Sequence, residues 1–270
     1  YSDGNCIDEK KFGVGYARKI GLDIAIRNSH KDTILCWLDA DTTVENNYMD
    51  KLIAAYKMNN NSSLITNFKH QSNIDQSLNT AINEYELFLK KTSTKMKESG
   101  SIYKYVPLGP TITCTASTYI AVGGLTPHKA TEDFYFIQDL CKYGNIMYAD
   151  DIIVHPSSRI SERVYLGTGY RMSQISKQNY IKDLYFTDKS FKVLNGLLAL
   201  TKASYKSSLE TYFLNLHSID IKLLNFMKSI DIECKWTKII DSSPSADHFE
   251  MQFQRYFDWL KTIKLLKYYS

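Results

Sequence analysis

Two carboxylates one residue apart, Asp39 and Asp41, close the apolar run Ile34-Leu35-Cys36-Trp37-Leu38. In open α/β sheets ligands gather at the carboxyl ends of strands. Carboxylates placed there can hold a hard divalent cation, and the cation can clamp a diphosphate. A polar turn in which Asp41 caps the next helix explains the same residues. Thr131-Glu132-Asp133 stands just before an aromatic helical stretch. Its carboxylates suit a cap and a partner for the helix dipole, or a general base fixed at the rim of a pocket. His155 ends Ile152-Ile153-Val154; it is a metal-ligand candidate if the fold brings it near Asp41, and structural otherwise. Finally, Arg159-Ile160-Ser161-Glu162-Arg163 runs on to Gly167-Thr168-Gly169-Tyr170-Arg171. Guanidinium forks offer parallel donors to phosphate, and glycines let backbone amides approach an anion. A solvated loop with Glu162 neutralising one arginine is the plain alternative.

The periodicity of the chain says what positions these residues. Val14, Ala17, Ile20 and Ile24 recur at helical spacing, so 13–27 reads as an amphipathic helix. The run 34–38 reads as a buried central strand of a parallel sheet. Tyr48, Leu52, Ile53 and Tyr56 mark a second helix, and 63–68 another strand. Leu78, Ile82, Tyr85 and Leu89 share one face of a helix over 75–91. Segment 101–127, with Gly109-Pro110 and Gly123-Gly124, reads as strand and loop around a short helix. Glu132–Tyr143 is a helix stopped by Gly144, and 146–148 and 152–155 are two short strands. This alternation predicts a layered α/β domain. After residue 172 strand signals fade, and 173–270 reads as a helical extension that includes Phe249, Phe253, Phe257, Leu260 and Leu266.

The 270 residues are 44% apolar and 23% charged, with a net charge of +4, an ordinary composition for one large core and a smaller module. No dense Lys/Arg stripe or recognition motif points to nucleic acid. Five scattered cysteines (Cys6, Cys36, Cys114, Cys141, Cys234) argue against a disulfide framework or a zinc knuckle and for a reducing compartment. No apolar run approaches the roughly 20 residues that cross a bilayer. The expectation is a soluble, cytoplasmic protein, at most peripheral to a membrane.

The order of the motifs is more specific than any one of them. Gly-Val-Gly-Tyr-Ala-Arg-Lys-Ile-Gly-Leu-Asp (13–23), Leu-Asp-Ala-Asp-Thr-Thr-Val-Glu (38–45), Glu84-Tyr85-Glu86-Leu87-Phe88-Leu89, Val122-Gly123-Gly124, Lys129–Phe136 and Pro156–Gly169 together resemble glycosyltransferase family 2, in a bacterial subgroup, across residues 10–172. The resemblance implies a GT-A-type, Rossmann-like mixed sheet flanked by helices over 1–172, with 173–270 as a helical extension. It implies that Asp39, Ala40 and Asp41 bind a nucleotide sugar, Asp39 near the ribose. It implies that Asp41 and His155 hold Mg²⁺ or Mn²⁺, that Asp133 is the base, and that Glu132 orients it or the acceptor. Arg18 matches a basic residue near the nucleotide, and Arg159 and Arg163 are the phosphate-binding candidates. The strand–loop units with which family members grip the base and ribose are expected upstream of this sequence. The QxxRW motif of processive synthases is absent, and Gly169-Tyr170-Arg171-Met172 is at most a distant counterpart.

The activity so implied is metal-dependent, inverting, non-processive transfer of a sugar from a nucleotide-sugar donor to a hydroxyl acceptor. Two other classes stay open: a catalytically silent protein of the same fold that binds or scaffolds, and a nucleotidyltransferase, which also uses paired carboxylates on a doubly wound sheet.

Overall fold

The computed structural model describes residues 13–59, 62–128, 130–144, 146–162, 165–175, 181 and 184–270. Those up to Leu87, with those between Tyr105 and Ile181, form one compact unit; Phe88–Lys104 and the residues from 184 onward form a second.

The first unit is built on a five-stranded mixed sheet. Its strands are β1 (Ile34–Cys36), β2 (Thr43–Val44), β3 (Ser63–Phe68), β4 (Ile112–Thr115) and β5 (Met147–His155), in the order β1-β4-β3-β5-β2. β3 and β5 pair in parallel, while β4 runs antiparallel to both its neighbours and β2 antiparallel to β5. Leu64, Ile65, Phe68, Ile112, Cys114, Ile152 and Val154 are each at most 1% exposed, so the middle of the sheet is the core. At β3 five of six residues, Ser63 and Thr66 among them, are buried, as in a strand covered on both faces.

Helices fall at the expected 13–27, 48–56 and 132–143, the one expected over 75–91 runs on to Glu98, and a short one, Gly167–Ser173, stands where a glycine loop was expected. They are α1 (Val14–Arg27), α2 (Tyr48–Asn59), α3 (Gln76–Glu98), α4 (Ala116–Ala121), α5 (Glu132–Tyr143) and the short α6 (Gly167–Ser173). Thr115 caps α4 by accepting the N–H of Thr118. The sheet is mixed α/β as expected, with two corrections. β1 is three residues long and has one described neighbour, antiparallel β4, so it is not a central strand of a parallel sheet. An apolar run reports burial, and burial does not specify the direction of a neighbour. The two short strands near residue 150 are one strand, β5, whose register against β3 shifts between Thr66 and Asn67.

The face of α1 is also not the one its apolar spacing indicates. Val14 and Ile24 are 51% and 46% exposed. Gly15 and Leu22 are the buried residues, with Arg18 between them on the same face at 13% side-chain exposure. The helix therefore buries a glycine and an arginine.

The second unit is helical. It takes the C-terminal half of α3 together with α7 (Asp188–Ala203), α8 (Leu209–Ile219), α9 (Ile221–Ser229), α10 (Ile232–Asp241), α11 (Ala246–Tyr256) and α12 (Trp259–Tyr268). Side chains of Thr187, Ser208, Asp220, Ser245 and Asp258 accept backbone N–H groups at the starts of α7, α8, α9, α11 and α12. Asp258 thus divides the aromatic stripe: Phe249 and Phe253 lie on α11, Leu266 on α12, and Leu260 is 39% exposed. Trp236 stacks on Tyr212 at 4.0 Å, meets Phe249 edge-on at 5.4 Å and donates its indole N–H to the Ser207 carbonyl. Among the described residues no helix is long and apolar enough to cross a membrane. The described cysteines, Cys36, Cys114, Cys141 and Cys234, are free thiols, and Cys6 lies outside the described residues.

Candidate functional site

The chain leaves β1 through Trp37 and Leu38 and turns sharply, the Thr42 N–H bonding the Asp39 carbonyl at 2.9 Å. It then enters β2, and the next helix starts only at Tyr48, so Asp41 caps no helix and the Asp-Ala-Asp segment is a turn. Ala40 is exposed at its tip. Trp37 meets Phe136 of α5 edge-on at 5.4 Å, tying the turn to the helix that carries Glu132 and Asp133.

Arg18 joins the two motifs. Its guanidinium pairs with Asp39 at the turn and, at 2.5 Å, with Glu132 at the start of α5. Glu132 is 7% exposed at its side chain and Asp39 38%. Burial alone would lower the pKa of the guanidinium; the surrounding carboxylates of Asp39, Glu132 and Asp133 more than offset that and raise it.

This approach depends on glycine at two places. A Cβ on Gly109 would stand 2.6 Å from an Arg18 guanidinium nitrogen. A Cβ on Gly15 would stand 2.5 Å from the His128 carbonyl oxygen and 2.9 Å from the Glu132 Cβ. Gly15→Ala is therefore expected to destabilise by about 1–3 kcal/mol through overpacking, despite alanine's better helix propensity. Gly21, on the same helix with nothing within 4 Å of its would-be Cβ, is the control. Gly21→Ala should stabilise by about 1 kcal/mol, and paired urea melts read both signs.

Asp133 lies beside this cluster in the first turn of α5, half-buried. Its carboxylate accepts the N–H of Phe134 at 2.8 Å. Burial and the neighbouring Glu132 charge push its pKa up to about 6, against the opposing pull of Arg18 and of the N–H groups of Phe134 and Gly109. At the N-cap position of α5, two residues before Asp133, Thr131 has φ 70°, a left-handed conformation rare for a β-branched residue, and makes no side-chain cap. Strain of this kind clusters at functional sites, where the surrounding structure holds it in place.

The second half of the site is the edge where β2 meets β5. Thr43 is in register with His155, and the Gln71 carboxamide donates to both the Asp41 carbonyl (2.6 Å) and the His155 carbonyl (2.7 Å). The backbones of the two expected metal ligands are thus brought together by a side chain that no motif indicated. His155 Nδ1 lies 2.9 Å from the Lys69 carbonyl oxygen. A carbonyl only accepts, so Nδ1 carries the proton and the Nε2 lone pair is left for a ligand, the usual tautomer of a metal-binding histidine. Asp41 pairs with Arg159 at 2.8 Å. Arg163 lies outside the described residues. Gly167-Thr168-Gly169 is the first turn of α6 and not an open loop; a Cβ on Gly169 would stand 2.7 Å from the Ser161 Cβ.

Among the described residues no three His, Cys, Asp or Glu are grouped to hold a metal on protein ligands alone. The structure brings the backbones of Asp41 and His155 together through Gln71, and among the described residues the partner of the Asp41 carboxylate is Arg159. Trp37 Nε1 and Thr42 Oγ1, which flank the turn, and Tyr48 Oη, at the start of α2, are buried without a hydrogen-bond partner among the described residues. Such groups are rare enough to need a reason, and a bound ligand or water is one. No family model, curated protein or solved structure matches the chain.

Proposed function

We propose that the protein is a glycosyltransferase of GT-A type that moves a sugar from a nucleotide-sugar donor to an acceptor hydroxyl. The observation that carries this reading is the double engagement of Arg18: one guanidinium holds the Asp-Ala-Asp turn and the start of α5, so that Asp133 stands beside the donor-side carboxylates. A carboxyl group with a pKa near 6 is ionised at neutral pH yet basic enough to take a proton in the transition state. Asp133 takes the hydroxyl proton as the acceptor oxygen attacks the anomeric carbon. The bond to the diphosphate breaks on the opposite face, and the configuration inverts.

Arg18 stands against Asp39, Glu132 and Asp133, so carboxylates outnumber cations there, and a bare diphosphate would be repelled. That excess supports entry of the donor with Mg²⁺ or Mn²⁺, held by Asp41 and His155 Nε2, which would supply Lewis-acid neutralisation of the leaving diphosphate. Arg159, exposed and paired only at the surface with Asp41, is free to exchange that partner for a phosphate.

The product decides between this reading and its rivals. Incubated with a panel of nucleotide sugars, Mn²⁺ and hydroxyl acceptors, the protein should release a nucleoside diphosphate. Release of pyrophosphate from a nucleoside triphosphate and a sugar phosphate would make it a nucleotidyltransferase. Release of neither would leave the silent scaffold.

A further inference from the structure

Beside the Asp41–His155 edge, within the first unit, lies a cleft of about 240 Å³ between the segment after β3 and the first turns of α3. Its floor is Ile82, 3% exposed, and the buried ring of His70. Both nitrogens of that ring are engaged: Nδ1 lies 2.8 Å from Glu86 Oε1 and Nε2 3.2 Å from Thr168 Oγ1, while Glu86 also accepts the His70 backbone N–H. The floor is thereby fixed in place.

The walls are different. Lys69, Ser72, Gln76 and Asn83 line the cleft, and none of their side chains makes a hydrogen bond or ion pair among the described residues. Gln71 spends its N–H groups on Asp41 and His155 and keeps its Oε1. The lining residues include no carboxylate. Unspent carboxamides and a hydroxyl offer donors and acceptors together, as a ring of hydroxyl groups requires, and the Lys69 ammonium adds one positive charge. Ile82 offers an apolar surface for the C–H face of such a ring.

We infer that this cleft binds a single anionic sugar ring, a hexose unit carrying a carboxylate or a phosphate. Its volume is below the roughly 300–1,000 Å³ of sites for drug-sized ligands, so it takes one ring and not an oligosaccharide. Because Gln71 faces the cleft and also clasps Asp41 and His155, the bound ring lies next to the proposed donor edge. Its identity as the sugar acceptor rests on the function proposed above; its binding does not.

Saturation-transfer NMR on the protein with glucose, glucuronate and glucose 6-phosphate tests the assignment. Both anionic sugars should receive saturation and bind about ten-fold or more tighter than glucose, the size of one charge-assisted hydrogen bond. Lys69→Met should bring them down to the level of glucose, and Asn83→Leu should weaken all three. Both side chains are solvent-facing, so thermal melts of the variants should match the parent protein. Absence of transfer from every sugar, or transfer indifferent to both substitutions, would overturn the site. Glucose binding as tightly as the anionic sugars would overturn its charge preference, and complete displacement of glucose 6-phosphate by equimolar phosphate would overturn its sugar. Sugar binding without nucleoside diphosphate release would sink the glycosyltransferase reading and leave the cleft standing; release without sugar binding would do the reverse.

Discussion

Replacing Asp133 with asparagine is expected to lower kcat for sugar transfer by about 10²–10⁴-fold, the contribution of a positioned general base. Asparagine keeps the shape of the side chain and its acceptor oxygen toward the Phe134 N–H, so the start of α5 stays intact. Two further readouts separate a base from a merely structural carboxylate. The pH profile of kcat/KM should rise to a plateau through about pH 6 in the parent protein and lose that limb in the variant. Stability should move the opposite way to activity. The folded pKa of Asp133, about 6, lies above the ordinary aspartate value of 3.8, so the folded protein binds the proton more tightly than the unfolded chain. Stability contributed by this group is therefore full below about pH 4 and lost as pH rises through 6. Asp133→Asn removes that loss, and its Tm should exceed the parent's above about pH 6, with the difference fading below about pH 4. A base that costs stability in this way would be an instance of the common trade between the two. A variant with near-parental rates would end the assignment of Asp133 as the base.

How far these residues could be read from the sequence differs from one to the next. The bounds of α5 were legible to the residue, because Glu132 and Asp133 open an amphipathic stretch that Gly144 closes. The apolar run ending in Asp39 was legible as a strand, but not its place at the end of the sheet formed by the described residues, since hydrophobicity carries no information about partners. The site side of α1 was hidden for a plainer reason. Its contact face is Gly15, Arg18 and Leu22, and apolar periodicity passes over a glycine chosen for close approach and an arginine chosen for charge. The Gly-x-Gly-Tyr-Ala-Arg order did single these residues out, as pattern and not as physics. Gln71 and His70 left no signal: one amide and one imidazole in a loop gain meaning only from what lies 16 to 98 positions away. Nothing local marks Leu87 as the point where α3 passes from one compact unit to the other, because helical periodicity continues through it unchanged.

Arg18→Met should be the most destabilising single change in the site. It leaves the Glu132 carboxylate, 7% exposed, without its partner, and removing one member of a buried pair typically costs about 3–5 kcal/mol. For a chain of this size that is an apparent Tm lower by roughly 10 °C. Arg18→Lys should recover only part of it, because an ammonium is a single point of charge and cannot present two nitrogens to Asp39 and Glu132 at once. The pairing can be separated from the chemistry by a double change. Arg18→Met with Glu132→Gln leaves no buried unpaired charge at that position, and most of the lost stability should return. Activity should not return with it. Loss of the guanidinium removes the attraction that opposes burial at Asp133, so in Arg18→Met its pKa rises further and the acidic limb of the pH profile moves to higher pH. Glu132→Gln also removes the Glu132 charge, the larger push on the Asp133 pKa, so the pH profile is read in Arg18→Met alone. If its acidic limb did not move, Arg18 would be a strut for α1 and α5 and nothing more. If the limb moves up while the double variant regains stability, the same guanidinium both fastens the two motifs together and sets the basicity of the carboxylate between them.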